Sequence, residues 1–176
     1  MITVIYRLLG ARTVSDLIFI ESHNPLWIIS IQERRQDMTG KLMEYFNKQP
    51  RIGAFSTSSK EGKVDSAVLG SPQMVDEKTV IVALGMGRTI SNLKENPNAV
   101  YLIMEPGASI MDWKGIRVYL KMKEYVTSGP KLDAYKSQAA KIIGEQAASM
   151  VKVLATFDVT EIRPLIDFGQ GWDKSI

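Results

Sequence analysis

The sequence predicts a mainly β domain, a β-barrel with a few helices in which six mostly antiparallel strands form a closed or partly closed sheet. Short apolar runs recur along the chain and are separated by turns that contain glycine and charged residues. The segment Gly115–Val126 alternates apolar and polar side chains, as a half-buried strand does. Helical spacing is rare after residue 50, and most strands follow one another directly, which is typical of antiparallel barrels.

Composition limits the classes of function. The 176 residues are enough for one domain with a sizeable core. The absence of cysteine excludes disulfides and thiolate nucleophiles, and the single histidine, His23, leaves little basis for a catalytic triad; no metal is expected. The net charge of +3 suits a small anionic ligand better than nucleic acid. Because no long apolar run or signal peptide is visible, we expect no membrane partner and a cytoplasmic location.

The first 37 residues show neither sustained helical spacing nor clean alternation. Thr39 is predicted as the N-cap of the first clear helix, which ends before Pro50. The apolar face of this helix would be formed by Leu42, Met43, Tyr45 and Phe46. Residues 1–37 are therefore either an N-terminal extension of the domain formed by residues 38–176 or the product of a misassigned start, with Met38 as the true start.

Six strands and two further helices follow. The strands are predicted at 52–58, 64–69, 79–85, 99–105, 115–126 and 151–162. Lys60–Lys63 is a hairpin turn in which Gly62 is expected to have a positive φ. Asp76–Lys78 is a second turn. Helices are predicted over 89–95 and 131–148.

The stretch GMGRT, Gly85–Thr89, joins the third predicted strand to the short helix. Glycines allow backbone amides to approach a ligand closely, and a helix N-terminus presents unpaired N–H groups. Arg88 and Thr89 add a guanidinium and a hydroxyl. The stretch is not a dinucleotide-binding fingerprint, because Ile90 stands where a third glycine belongs. These residues alone are equally compatible with an anion site and with a plain turn.

Residues 51–105 resemble the FMN-binding split-barrel proteins related to pyridoxamine 5'-phosphate oxidase. The matching features, in order, are the strand 52–58, a charged turn with glycine, the strand that begins Lys63-Val-Asp-Ser-Ala-Val68, Gly-Arg-Thr followed by Asn-Leu, and Glu95-Asn-Pro-Asn-Ala-Val-Tyr-Leu102. Trp113–Arg117 fits the fifth strand. Although most of these motifs lie in residues 51–105, the resemblance as a whole covers about Met38 to Trp172. It implies a six-stranded Greek-key split barrel and a homodimer with FMN between the subunits.

The resemblance also implies which residues bind the cofactor. The second strand would lie along the isoalloxazine ring, the GMGRT stretch would surround the phosphate, and aromatic and polar residues would reach the cofactor across the subunit interface. These three sets are Ser66, Ala67 and Val68; Gly85, Met86, Gly87, Arg88, Thr89 and Asn92; and Trp113, Gln170 and Trp172. The chain departs from the oxidase pattern in having Thr89 where a second basic residue would stand, and it lacks a C-terminal arginine–histidine arrangement. Vitamin B6 oxidation is therefore not expected.

We expect a homodimeric FMN-dependent oxidoreductase or reductase acting on a small molecule, in which the flavin carries the electron or hydride transfer. No side chain stands out as an acid or a base, so no catalytic residue is named. A non-catalytic flavin-binding or sensing protein and a deazaflavin-dependent reductase remain open. A barrel that binds single-stranded nucleic acid is disfavoured by the low net charge and by the few aromatic residues on the first three strands.

Overall fold

The computed structural model describes the backbone of residues 4–6, 18–20 and 26–35, and the backbone and side chains of residues 36–176. The chain divides into two compact units, Met1–Met38 and Thr39–Ile176. In the first unit, strands β1 (Val4–Tyr6) and β2 (Ile18–Ile20) pair antiparallel. His23 lies outside the described residues. The interpretation of residues 1–37 as an extension stays a prediction.

Helix α1 spans Leu26–Asn47, so the prediction that Thr39 caps its N-terminus is wrong. Thr39 lies inside the helix, and its Oγ1 donates a hydrogen bond to Glu77 Oε2 at 2.9 Å. The cap signal failed because the preceding glutamine, glutamate and arginine residues are good helix formers without apolar periodicity. The predicted apolar face is confirmed, since Leu42 and Phe46 are buried in the core.

The second unit is built on one antiparallel sheet of seven strands. They are β3 (Ile52–Ser58), β4 (Val64–Val68), β5 (Gln73–Asp76), β6 (Thr79–Leu84), β7 (Asn98–Glu105), β8 (Lys114–Val126) and β9 (Val153–Pro164). Their order across the sheet is β4-β3-β7-β8-β9-β6-β5, and every neighbouring pair is antiparallel. The mainly β antiparallel fold is confirmed. The six-stranded count is wrong, and in the described residues β4 and β5 remain as open edges of a sheet that does not close.

The strand that sequence analysis missed is β5. It is only 4 residues long, and Met74 is its one buried side chain, so it shows no recognisable alternation. Asn47, at the end of α1, holds it in place. The N–H of Met74 donates to Asn47 Oδ1 at 2.9 Å, and the Met74 carbonyl accepts from Asn47 Nδ2 at 2.8 Å.

The turn and helix predictions for the rest of the chain hold with one change. Gly62 has a φ of +82°, as the hairpin turn requires. Helix α2 spans Arg88–Glu95. The helix predicted over 131–148 is divided at Gly144 (φ +83°) into α3 (Pro130–Ile143) and α4 (Glu145–Ser149). Of the helices that the structure describes, none combines the length and the apolar character needed to cross a bilayer.

The core places α2 next to the β4 edge of the sheet. Aromatic rings fill its centre, where Phe55 packs edge-on against Phe157 with 5.7 Å between ring centroids. Ile90 and Leu93 of α2 are buried in the same core. Helix α2 also contacts β3 and β4. Its position beside β4 is therefore set by the packing of these two apolar side chains into the core.

Candidate cofactor site

Helix α2 begins at an exposed loop with an uncapped N-terminus. The N-cap residue, Gly87, has an extended backbone (φ −146°) and supplies no capping side chain, and no acidic residue lies in the first turn. A Cβ added at Gly87 would meet no atom within 4 Å. Gly85 and Met86 before it are also exposed. An anion can therefore approach the first N–H groups of the helix from outside.

A carboxylate of β4 lies beside this N-terminus. Asp65 Oδ1 is 3.7 Å from Arg88 Nη1, and Asp65 Oδ2 accepts a hydrogen bond from Thr89 Oγ1 at 3.4 Å. The Asp65 side chain is 21% exposed, whereas that of Arg88 is 75% exposed. Sequence analysis did not single out Asp65. The only available signal was an acidic residue within the strand that the resemblance places along the flavin ring.

Asn92 points into the protein. Its side chain is buried, and its Nδ2 donates a hydrogen bond to Thr57 Oγ1 on β3 at 3.1 Å. Farther along, Asn96 Nδ2 donates to Ser58 Oγ at 2.9 Å. These two bonds fasten α2 to β3 and so keep its N-terminus beside Asp65. That Asn92 lies near a bound phosphate stays a prediction.

Strand β4 offers its backbone as a second part of the site. In the described sheet it pairs only with β3, so its outer edge has no strand partner. Ser66 stands opposite Ser56, and their hydroxyl oxygens are 3.0 Å apart. Val64 and Val68 are 75% and 78% exposed. Unpaired backbone groups next to apolar side chains can bind a flat heterocycle through both hydrogen bonds and contact area.

Trp113, Gln170 and Trp172 lie elsewhere in the chain. Trp113 is half-buried and directly precedes β8, which β3 and β7 separate from β4. Trp172 packs against the main core. Between residues 36 and 176, no hydrogen bond or ion pair joins these three residues to Arg88. The structure thus brings the residues of β4 and α2 together. Within one chain, it does not bring the two tryptophans and Gln170 to that place.

The polar atoms of Gln170 serve its own turn. Its Nε2 donates to the Ile166 carbonyl at 2.6 Å, and its Oε1 accepts from the Phe168 N–H at 2.7 Å. The tail that carries it is joined to β8 where the Gly115 N–H donates to the Ser175 carbonyl at 2.7 Å. This segment of the chain is therefore held in place at the start of β8.

A shallow cavity of about 420 Å³ extends from β4 across β3, β7 and β8 to Thr160 of β9. Its lining combines hydroxyl and amide groups of Ser56, Ser58 and Asn98 with apolar surface of Val64 and Val100. None of the residues predicted to bind the cofactor lines it. Sequence analysis missed it because its residues come from strands that are far apart in the chain and carry no shared motif.

Comparisons with known proteins establish the fold. No family model and no curated protein sequence matches the chain. An FMN-binding protein from Syntrophomonas wolfei subsp. wolfei has 22% identity and a TM-score of 0.59, covering 78% of this chain and 95% of that chain. The heme storage protein HutZ from Vibrio cholerae has 14% identity and a TM-score of 0.52, covering 69% and 91%. An F420 reductase has 14% identity and a TM-score of 0.52, covering 68% and 94%.

At these identities the likeness is one of fold. The superposition with the FMN-binding protein extends over 78% of this chain and 95% of that one. The resemblance drawn from residues 51–105 is therefore confirmed at the level of the fold. The chain shares the fold of the FMN-binding protein from Syntrophomonas wolfei subsp. wolfei.

Proposed function

We propose that this chain binds FMN and acts as a flavin-dependent oxidoreductase on a small molecule. One observation carries the proposal: Arg88 and Thr89 stand at an uncapped helix N-terminus directly beside the edge strand β4, in a fold that an FMN-binding protein shares. A phosphate monoester suits this position because backbone N–H groups, a hydroxyl and a guanidinium, all possible donors to it, lie together here. The adjoining β4 edge suits the flavin ring.

Each part of the site has a distinct role in this proposal. Arg88 and Thr89 bind the phosphate together with the first amides of α2, and Gly87 allows the close approach. The backbone of Ser66–Val68 hydrogen-bonds the polar edge of the ring. Exposed Met86 contributes apolar contact beside the phosphate. FMN supplies electron or hydride transfer when bound, while the chain's own residues bind and orient it and exclude water. No catalytic side chain is assigned.

We infer further that two copies of the chain complete the site. Trp113, Gln170 and Trp172 are remote from Arg88 within one chain, so they can reach the same cofactor only from a second copy. The exposed apolar side chains Val64 and Val68 on β4 supply surface that association would bury. A sedimentation experiment on the full chain is expected to give a homodimer, and a monomer with bound flavin would contradict this part of the proposal.

A deazaflavin-dependent reductase is the second candidate. It is favoured by the shared fold of an F420 reductase. The same helix N-terminus suits a deazaflavin cofactor whose side chain carries a phosphate. The two candidates differ in the cofactor ring, which the absorption spectrum distinguishes.

The first experiment is the absorption spectrum of the purified full chain, followed by mass spectrometry of any small molecule released on denaturation. A flavin spectrum with released FMN supports the proposal, and a deazaflavin selects the second candidate. A heme spectrum contradicts both candidates. A colourless protein that takes up no added FMN contradicts the first.

The second experiment locates the phosphate. A charge-assisted hydrogen bond is typically worth about 1.5–3 kcal/mol, so Arg88→Ala should weaken FMN binding roughly 10- to 150-fold. Riboflavin, which lacks the phosphate, should bind both proteins equally. Lys94→Ala is the matched control, because it removes the same charge from the other end of α2, where Lys94 Nζ lies 5.5 Å from the centre of the Tyr125 ring. Equal losses of FMN and riboflavin affinity in Arg88→Ala would overturn the phosphate assignment.

A further inference from the structure

The phosphate position of the proposed FMN site already has an anion of the protein beside it. We propose that Asp65 is a specificity-determining residue, which competes with the phosphate for Arg88 and Thr89 and so weakens binding of FMN relative to riboflavin. This inference rests on the proposed function.

Both carboxylate oxygens of Asp65 face the phosphate-binding side chains. Oδ1 lies 3.7 Å from Arg88 Nη1, and Oδ2 accepts from Thr89 Oγ1 at 3.4 Å. A phosphate that binds Arg88 and Thr89 must therefore replace the carboxylate at one or both of them. Arg88, with its side chain 75% exposed, can turn toward a ligand, whereas Asp65 is 21% exposed and is anchored on a strand.

Replacement leaves two like charges close together. The carboxylate stays on β4 with limited access to water, while the phosphate occupies the space in front of the α2 N-terminus. Repulsion between the two anions opposes binding, and partial burial reduces the screening that water provides. Riboflavin brings no such charge. Asp65 should therefore lower the affinity for FMN and leave the affinity for riboflavin nearly unchanged.

The opposite role is also physically reasonable and makes the proposal testable. A carboxylate beside an arginine can orient the guanidinium toward a ligand, and in that case its removal weakens FMN binding. When the Asp65 charge is removed, competition thus predicts tighter FMN binding and positioning predicts weaker FMN binding. The high exposure of the Arg88 side chain favours competition, because an arginine whose orientation is fixed by neighbouring side chains is usually more enclosed.

The test compares Asp65→Asn with the wild-type full chain in titrations with FMN and riboflavin. The substitution keeps the size of the side chain and an acceptor for Thr89 but removes the charge. The Kd for FMN is expected to fall about fivefold or more, with riboflavin changed by less than about twofold. Inorganic phosphate should also compete with FMN more strongly in the variant. Asp158→Asn is the control: it is the same substitution on β9, where Asp158 pairs with Lys123 at 3.8 Å, and it should change neither affinity.

Weaker FMN binding by Asp65→Asn, or no change in the ratio of FMN to riboflavin affinity, overturns the proposal. Asp65→Ser, which also removes the charge, replaces the first variant if thermal melting shows that Asp65→Asn is misfolded. If the wild-type chain binds both flavins and only the variant result is negative, Asp65 has been misjudged and the proposed function stands. If the wild-type chain binds neither flavin, the proposed function itself has failed, and this inference fails with it.

Discussion

The side-chain amide of Asn92 donates a hydrogen bond to the hydroxyl of Thr57 at 3.1 Å, and both side chains are buried. This bond joins α2 to β3, the strand next to β4. The bond supports the position of the helix N-terminus beside Asp65, which the core packing of Ile90 and Leu93 also holds.

Asn92→Ala is expected to lower the free energy of unfolding by about 1–3 kcal/mol, because it leaves the buried Thr57 hydroxyl without its donor. Urea unfolding measures the loss. Ser91→Ala, an exposed position on the same helix, should change stability by less than about 0.5 kcal/mol. The ratio of FMN to riboflavin affinity should be unaffected in both variants. If Asn92→Ala kept the stability of the wild type but bound FMN more weakly relative to riboflavin, Asn92 would instead be a direct phosphate ligand.

Gly87→Val is expected to weaken FMN binding, with only a small cost in stability from the poorer N-cap residue. The backbone at Gly87 has a φ of −146°, which any residue adopts, and a Cβ there would meet no protein atom within 4 Å. A bulky side chain would, however, keep a phosphate away from the helix amides. Loss of one such hydrogen bond corresponds to about tenfold in Kd. Calorimetric titration and a melting curve separate the two effects, and unchanged FMN affinity would show that no ligand approaches here.

Arg51→Ala is expected to destabilise the second unit by about 2–4 kcal/mol. Arg51 Nε donates to the Tyr101 hydroxyl at 3.0 Å, and its two terminal nitrogens donate to the carbonyls of Phe46 and Pro72. The guanidinium also lies 5.3 Å from the centre of the Phe46 ring. Arg51→Lys should recover little of the loss, since an ammonium cannot reproduce this planar set of donors. Denaturant unfolding of the two variants checks the prediction, and full recovery with lysine would refute it.

Stability should fall in alkaline solution partly because of Tyr45. Burial raises the pKa of the Tyr45 hydroxyl, and the Glu105 carboxylate raises it further. A group whose folded-state pKa is raised stabilises the fold below its unfolded pKa, and this contribution is lost as the pH rises above that value. Between about pH 9 and about pH 11, the wild-type chain should therefore lose more stability than Tyr45→Phe. Parallel pH dependences of unfolding in the two proteins would rule out this role for Tyr45.

A chain that begins at Met38 is expected to fold, dimerise and bind flavin like the full chain. Leu42 and Phe46 are buried in the core of the second unit, so packing should hold the remaining part of α1. The melting temperature should stay within about 4 °C of the full chain, which corresponds to about 1 kcal/mol for a domain of this size. A large loss of solubility or of melting temperature would show that residues 1–37 are an integral part of the fold.

Short-range patterns in the sequence determined most of the secondary structure of the second unit. The alternation along β8, the positive φ of Gly62 and the start of α2 directly after Gly87 each depend on a few neighbouring residues. The sequence also determined that Arg88 and Thr89 would stand at a helix N-terminus. Such features can be predicted because side-chain period and backbone preference act locally.

Only the tertiary structure decided which distant residues meet. It added β5, whose 4 residues form a strand through pairing with β6 and hydrogen bonds to Asn47, and it left the sheet open. It turned Asn92 toward Thr57, separated Trp113 from Arg88, and set Asp65 beside Arg88. These relationships arise from the packing of α2 on β3 and β4 and from strand order, which join segments far apart in the chain and leave no local pattern to read.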